Sequence, residues 1–138
     1  HYDRRRQRQM CIRDRGGDSQ ELSSKFSLGQ PVLVPGDMGT ASWVLAGPVK
    51  GGNDAFSSSC HGAGRRLSRA AARRSVDSDS LISELESRGV HVRAKTPNVL
   101  SEEAPEAYKN VDDVISLTNQ AGLARPVARL RPISVIKG

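Results

Sequence analysis

Residues 59–66, Ser59-Cys60-His61-Gly62-Ala63-Gly64-Arg65-Arg66, place a nucleophile, a turn of small residues and two cations side by side. Small side chains let backbone N–H groups approach an anion closely. A helix starting just beyond them would add positive potential at its N-terminus. Arginines contribute charge-assisted, often bidentate hydrogen bonds to phosphate oxygens. An imidazole beside such a cradle can attack phosphorus and carry a phosphoryl or nucleotidyl group. The same string also suits a plain helix-start turn with an incidental histidine, so the flanking sequence has to decide.

Upstream lies Pro31-Val-Leu-Val-Pro35-Gly36-Asp37-Met38-Gly39-Thr40-Ala41-Ser42-Trp43; downstream lie Val90-His-Val-Arg93 and Glu103-Ala-Pro-Glu-Ala-Tyr108-Lys-Asn-Val111; the chain ends Ile136-Lys137-Gly138. Together with His61–Ser68 (HGAGRRLS), these blocks resemble the RtcB-type RNA ligases, GTP-dependent enzymes that join RNA ends in tRNA splicing and RNA repair. The resemblance covers roughly Gly29 to Gly138, with the blocks in the family's order. It implies that His61 becomes covalently guanylylated on a ring nitrogen by GTP. Gly62, Ala63 and Gly64 would wrap that nucleotide, Pro35, Gly36, Asp37, Met38 and Ser42 would line the guanosine pocket, and Lys137 would donate to guanine O6. The substrate would be RNA with a 3′-phosphate or 2′,3′-cyclic phosphate end and a 5′-hydroxyl end. The product would form through a His–GMP intermediate, and the full-length enzyme would be monomeric.

Two positions depart from the family pattern. Asp37 stands where serine is common, and its carboxylate can accept from guanine N1–H and the N2 amine. Cys60 stands where alanine or threonine is common. The family also uses Mn²⁺, held by a cysteine, an aspartate and histidines upstream of these blocks. Here the only histidines are His1, His61 and His91, and the only cysteines Cys11 and Cys60. None has a ligand-spaced partner, so no metal site is expected in this chain. Residues 16–138 are therefore expected to be the C-terminal segment of a larger catalytic domain. Taken alone they should be inactive and marginally folded, with a strand such as Val32–Val34 lacking its upstream partner.

Composition sets outer limits. A chain of 138 residues supports one modest core, and with 4% aromatics that core must rest on Val, Leu, Ile and Ala. No run reaches the ~18–20 apolar residues of a membrane span. Two distant cysteines make a disulfide framework a poor reading and a reducing cytoplasm the expected setting. Of the net charge of +6, the six arginines of residues 1–15 against Asp3 and Asp14 supply +4. Such an arm could bind nucleic acid in a salt-sensitive way. Its string RRRQRQMCIRDR instead resembles adapter-derived sequence, so residues 1–15 are read as a non-native leader.

These chemical blocks need elements to hold them. Val32–Val34, stopped by Pro35-Gly36, and Ser42–Ala46 read as strands, and Gly16–Gln30 and Gly47–Ser59 as loops. Arg65–Ser75 reads as a helix that puts Arg65, Arg69 and Arg73 on one face. That face is either a solvated basic one or one that meets phosphate or RNA; Arg65, nearest the turn, and then Arg69 are the candidate phosphate contacts. Asp79 or Ser80 could cap a helix over Leu81–Leu85 that Gly89 ends. Val90–Arg93 alternates as a strand, with His91 structural, and Thr96-Pro97-Asn98 reads as a turn. Asn110 starts a helix that Gly122 stops. Leu123–Lys137, with Pro126 and Pro132, reads as edge strands. Strands and helices without regular βαβ alternation give an α+β fold of mixed sheets and short helices, and no Walker-type GxxxxGK[ST] occurs. A competing reading is a non-catalytic nucleotide- or RNA-binding module.

Overall fold

A computed structural model describes residues 27–48 and 59–138. The arginine-rich leader, residues 16–26 of the expected first loop and the Gly51-Gly52-Asn53 stretch lie outside the described residues.

Alternating burial makes Pro31–Val34 a strand (β1), with Val32 and Val34 inward and Leu33 outward. It pairs antiparallel with Ser42–Ala46 (β2), Pro31 opposite Ala46 and Val34 opposite Trp43. Among the described residues the other side of β1 has no strand partner, so it forms one edge of its sheet. Arg125–Leu130 (β4) pairs antiparallel with the other side of β2. Its register shifts between Val44 and Leu45, where Leu45 faces Pro126, a residue with no N–H to give the ladder. A separate parallel pair joins His91–Ala94 (β3) to Ser134–Lys137 (β5), with Ala94 opposite Lys137.

Among the described residues the helices are short. Arg69–Ser75 (α1) is capped by Ser68, whose Oγ accepts from Ala71 N at 3.1 Å. It starts four residues later than the sequence reading placed it. The reason is tertiary: Arg65 forms a β-bridge with Tyr108, and the N–H groups of Arg66 and Leu67 both donate to the Ala107 carbonyl. Ser78–Ser87 (α2) is capped by Asp77, not Asp79 or Ser80, through a 2.9 Å bond from Ser80 N. Gly89 ends it in the left-handed region, φ +79°. Pro97–Glu102 (α3) replaces the turn expected there, because proline is well suited to a first helical position; a 3₁₀ turn follows at Pro105–Ala107. Val111–Gln120 (α4) starts at Asn110 as read, Asn110 accepting from Asp112 N at 2.9 Å, and Gly122 stops it at φ +70°.

Two apolar clusters result. Val32, Val34, Ala41, Leu45, Ala63, Val111, Ile115 and Ala124 fill the space between the three-stranded sheet and α4. Met38, Leu81, Leu85, Val90, Leu100, Ala104 and Val135 form the second, between the helices and the parallel pair. Loop 35–41 spans both, with Met38 in one and Ala41 in the other, so burial on two sides fixes it. No helix among the described residues is long and apolar enough to cross a membrane. The fold is α+β with mixed pairing, as the sequence reading had it.

Candidate active site

The His61 turn is fastened to the loop at 35–42 by backbone contact. Ala63 N donates to the Pro35 carbonyl at 3.2 Å, and Ala63 is buried. A Cβ at Gly62 would lie 3.1 Å from the same carbonyl oxygen, so glycine allows the approach. On the far side Lys109 N donates to the Gly64 carbonyl at 2.9 Å. His61 itself is exposed at the rim of this pinned turn.

The facing loop is held from within. The Asp37 carboxylate accepts from Gly39 N at 2.8 Å, Thr40 N at 2.9 Å and the Thr40 hydroxyl at 2.8 Å. Gly36 N donates to Ser42 Oγ at 3.4 Å, and Met38 is buried beneath. A Cβ at Gly36 would sit 1.8 Å from the Ala41 carbonyl oxygen, so only glycine fits there. Asp37 thus has a first duty that sequence reading missed: it closes the loop, and its free acceptor capacity for a base is reduced accordingly.

Gly36, Asp37 and Met38 line a cavity of about 310 Å³ together with Glu103, Tyr108, Pro132 and residues 134–137. Lys137 reaches it because β5 runs parallel to β3, and Lys95 N holds the Lys137 carbonyl at 2.9 Å. Residues from the two ends of the chain's described part therefore share one pocket. The lining offers one ammonium donor and carboxylate acceptors, a set suited to a polar heteroaromatic edge.

Glu103 and Tyr108 were quoted in the sequence only as part of a block, with no role. Tyr108 donates its hydroxyl to Glu103, and burial, reinforced by that carboxylate, pushes the phenol above its ordinary range. It therefore stays a donor at neutral pH. No periodicity pointed to this pair.

The arginines are placed differently from the expectation. Arg65 directs Nε to the Leu67 carbonyl at 3.3 Å and Nη1 to Glu103 at 3.2 Å and Tyr108 at 2.9 Å; Nη2 reaches the Glu102 carbonyl. Its guanidinium also lies 4.8 Å from the Tyr108 ring centroid. With four of five N–H donors spent inside the protein, Arg65 braces the turn from within and keeps one N–H for a phosphate. Arg69 lies 3.6 Å from Glu103 and 3.8 Å from Glu102, and Arg73 lies 3.0 Å from Glu102. The shared face exists, but it meets two carboxylates. Arg69 remains exposed and its ion pairs are long, so it keeps capacity for an external anion.

Among the described residues no three His, Cys, Asp or Glu side chains converge on a point that could hold a metal ion. They do not fit the Mn²⁺ that the resemblance implies.

A sequence profile described as "tRNA-splicing ligase RtcB" matches residues 7–138. The chain belongs to the RtcB family. That match runs upstream of Gly29, where the motif resemblance begins, and into the leader segment. Curated relatives called tRNA-splicing ligase RtcB include one from Pyrococcus furiosus, 57% identical over 111 residues that make up 80% of this chain and 11% of that protein. Another, from Thermococcus kodakarensis, is 56% identical over the same share of this chain and 23% of its own length. A third, from Archaeoglobus fulgidus, is 50% identical, again over 80% of this chain and 23% of its own length. The chain thus spans less than a quarter of these RtcB relatives.

Proposed function

We propose that this chain supplies the nucleotide-accepting histidine and the guanine pocket of an RNA ligase that joins 3′-phosphate or 2′,3′-cyclic phosphate ends to 5′-hydroxyl ends. One observation carries the reading: the His61 turn is bonded to Pro35 at 3.2 Å, next to a pocket shared by Gly36–Met38 and Lys137. A nucleophile on a turn bonded to the loop that lines a base-sized polar pocket is what nucleotidyl transfer needs.

In the proposed sequence a neutral His61 nitrogen attacks the α-phosphorus of GTP. An N–P bond forms, the bond to the leaving pyrophosphate breaks, and the imidazole proton is lost to solvent. GMP then passes to an RNA 3′-phosphate oxygen and frees His61. The 5′-hydroxyl of the second strand attacks that activated phosphorus and expels GMP. The backbone N–H groups of the Gly62-Ala63-Gly64 turn would meet developing phosphoryl charge. Lys137 would donate to guanine O6. Recognition of N1–H and N2 would be shared between Asp37 and Glu103, since each already accepts bonds from the protein. GTP dependence and the His–GMP intermediate come to this chain from the family resemblance, and a cytoplasmic setting from its two distant cysteines. The name of the relatives supports ligation in tRNA splicing more broadly.

The test uses GTP labelled at the α-phosphate. The chain is incubated alone and with the upstream part of a curated relative, in Mn²⁺. Label is expected on the unsubstituted chain in the second mixture, absent from His61→Ala and retained by Cys60→Ala. Label that survives His61→Ala and disappears in Cys60→Ala would assign the nucleophile to the cysteine and overturn the reading.

A further inference from the structure

A second cavity, of about 380 Å³, lies across loop 36–40 from the first and is lined by Gly39, Thr40, Arg88, Asn110, Asp112, Arg129, Arg131 and Pro132, with Val90 at its base. Pro132 lines both cavities, so the two are neighbours separated by the Asp37-closed loop. Three arginines here face a single carboxylate. No aromatic side chain lines the groove.

Two of the arginines are set in place. Arg129 pairs with Asp112 through Nε at 3.1 Å and Nη2 at 2.9 Å, and Asp112 is held in turn by Trp43 Nε1 at 2.7 Å. Arg129 Nη1 is spared by that fork. Arg88 caps α2 and donates through Nη2 to the Gly39 carbonyl, while its pair with Glu84 is exposed and 3.4 Å long. Arg131 is exposed and forms no ion pair among the described residues. Asn110 spends its side-chain oxygen on the α4 cap and keeps its amide N–H groups.

We infer that this groove is a track for the phosphodiester backbone of single-stranded RNA, leading over loop 36–40 to the nucleotide pocket. Guanidinium and amide donors address phosphate oxygens. Without an aromatic platform the groove cannot hold bases by stacking, so binding there is indifferent to sequence and sensitive to salt. Prearranged arginines lose little freedom on binding, and the exposed Arg131 supplies a further contact. The identity of the polymer rests on the RNA-ligase reading; the site rests on the groove alone.

The experiment measures fluorescence anisotropy of a labelled, mixed-sequence single-stranded RNA of about 12 nucleotides, within the ~4–16 that such grooves span. The full chain is compared with Arg131→Glu and with Arg74→Glu, an equal charge change on an exposed position of α1. Using the same chain throughout cancels the basic leader. Arg131→Glu is expected to weaken binding about tenfold or more and to lower the salt slope by about 0.7 per lost phosphate contact. Arg74→Glu should change it less than about twofold. Trp43 emission during urea unfolding should match between Arg131→Glu and the parent, as Arg131 bridges nothing. Equal losses in the two charge reversals, no loss in Arg131→Glu, or no RNA binding by the parent chain would each overturn the inference. So would displacement of RNA by inorganic phosphate beyond a chloride control of matched ionic strength, which would make the groove a simple anion site. Because no readout involves GTP, a failure here leaves His61 labelling standing, and a failure of labelling leaves the groove standing.

Discussion

Replacing Arg65 by alanine separates a brace from a phosphate ligand. The side chain is 23% exposed and its partner Glu103 21%, so both sit largely out of water. It donates to Leu67, Glu102, Glu103 and Tyr108, which ties the end of the His61 turn to the segment after α3. Hydrogen bonds from a charged group each contribute about 1.5–3 kcal/mol net when well buried. They do not add in a shared network, and Tyr108 would still satisfy Glu103 after the arginine is gone. The backbone bonds from Arg66 and Leu67 to Ala107 would also persist. A loss of about 2 kcal/mol is therefore expected for Arg65→Ala. Arg65→Lys should lose most of it too, since an ammonium cannot span four acceptors in a plane.

Arg69→Ala is the comparison. Arg69 is 66% exposed and its contacts are 3.6–3.8 Å long, so its removal should cost under about 0.5 kcal/mol. Urea unfolding followed by Trp43 emission, with the midpoint and slope fitted separately, measures both. Near-equal stability of Arg65→Ala and the parent, or a larger effect for Arg69→Ala, would refute the brace and return Arg65 to the anion-contact role.

Asp112 gives a pH test. The hydrogen bond from Arg129, aided by that from Trp43, holds its carboxyl below the ordinary value near 3.8. A depressed folded value means stability is present above about pH 4 and lost as pH falls through the lowered value, and Asp112→Asn should flatten the acid limb of a Trp43-monitored titration. Among glycines, Gly36→Ala forces a Cβ to 1.8 Å from the Ala41 carbonyl and should cost about 3 kcal/mol or more. Gly64→Ala meets open space and only a φ of +78°, so about 1–2 kcal/mol is expected; similar melting of the two variants would contradict the packing account. On the ligand side, Lys137→Ala should reduce the preference for GTP over ATP in His61 labelling by about 1–3 kcal/mol, and an unchanged ratio would remove the O6 contact.

What sequence could show here followed the range of the interaction. The strand at Val32–Val34 and the helix start at Asn110 were legible from adjacent positions, but the apolar run at 32–34 did not show that Leu33 faces outward. The fastening of the 35–42 loop to the His61 turn was half legible: glycine at 36 and 62 signals close approach, but the Pro35 carbonyl that requires it at 62 is remote in sequence. Arg65, Arg69 and Arg73 show the limit most sharply. Spacing predicts that they share a face, and they do share one set of partners, but Glu102 and Glu103 lie some thirty or more positions on. Periodicity reports which residues look the same way; it carries nothing about what they look at. The helix start at Arg69 failed for the same reason, since the backbone at 65–67 bonds to Tyr108 and Ala107 in preference to its own next turn. The groove of Arg88, Arg129 and Arg131 was invisible altogether, because α2, β4 and the β4–β5 link that supply it are far apart in sequence and share no periodicity. The arginine-rich residues 1–15, which supply +4 of the net charge of +6, gave no sign of this second cluster, because only the fold brings its members together.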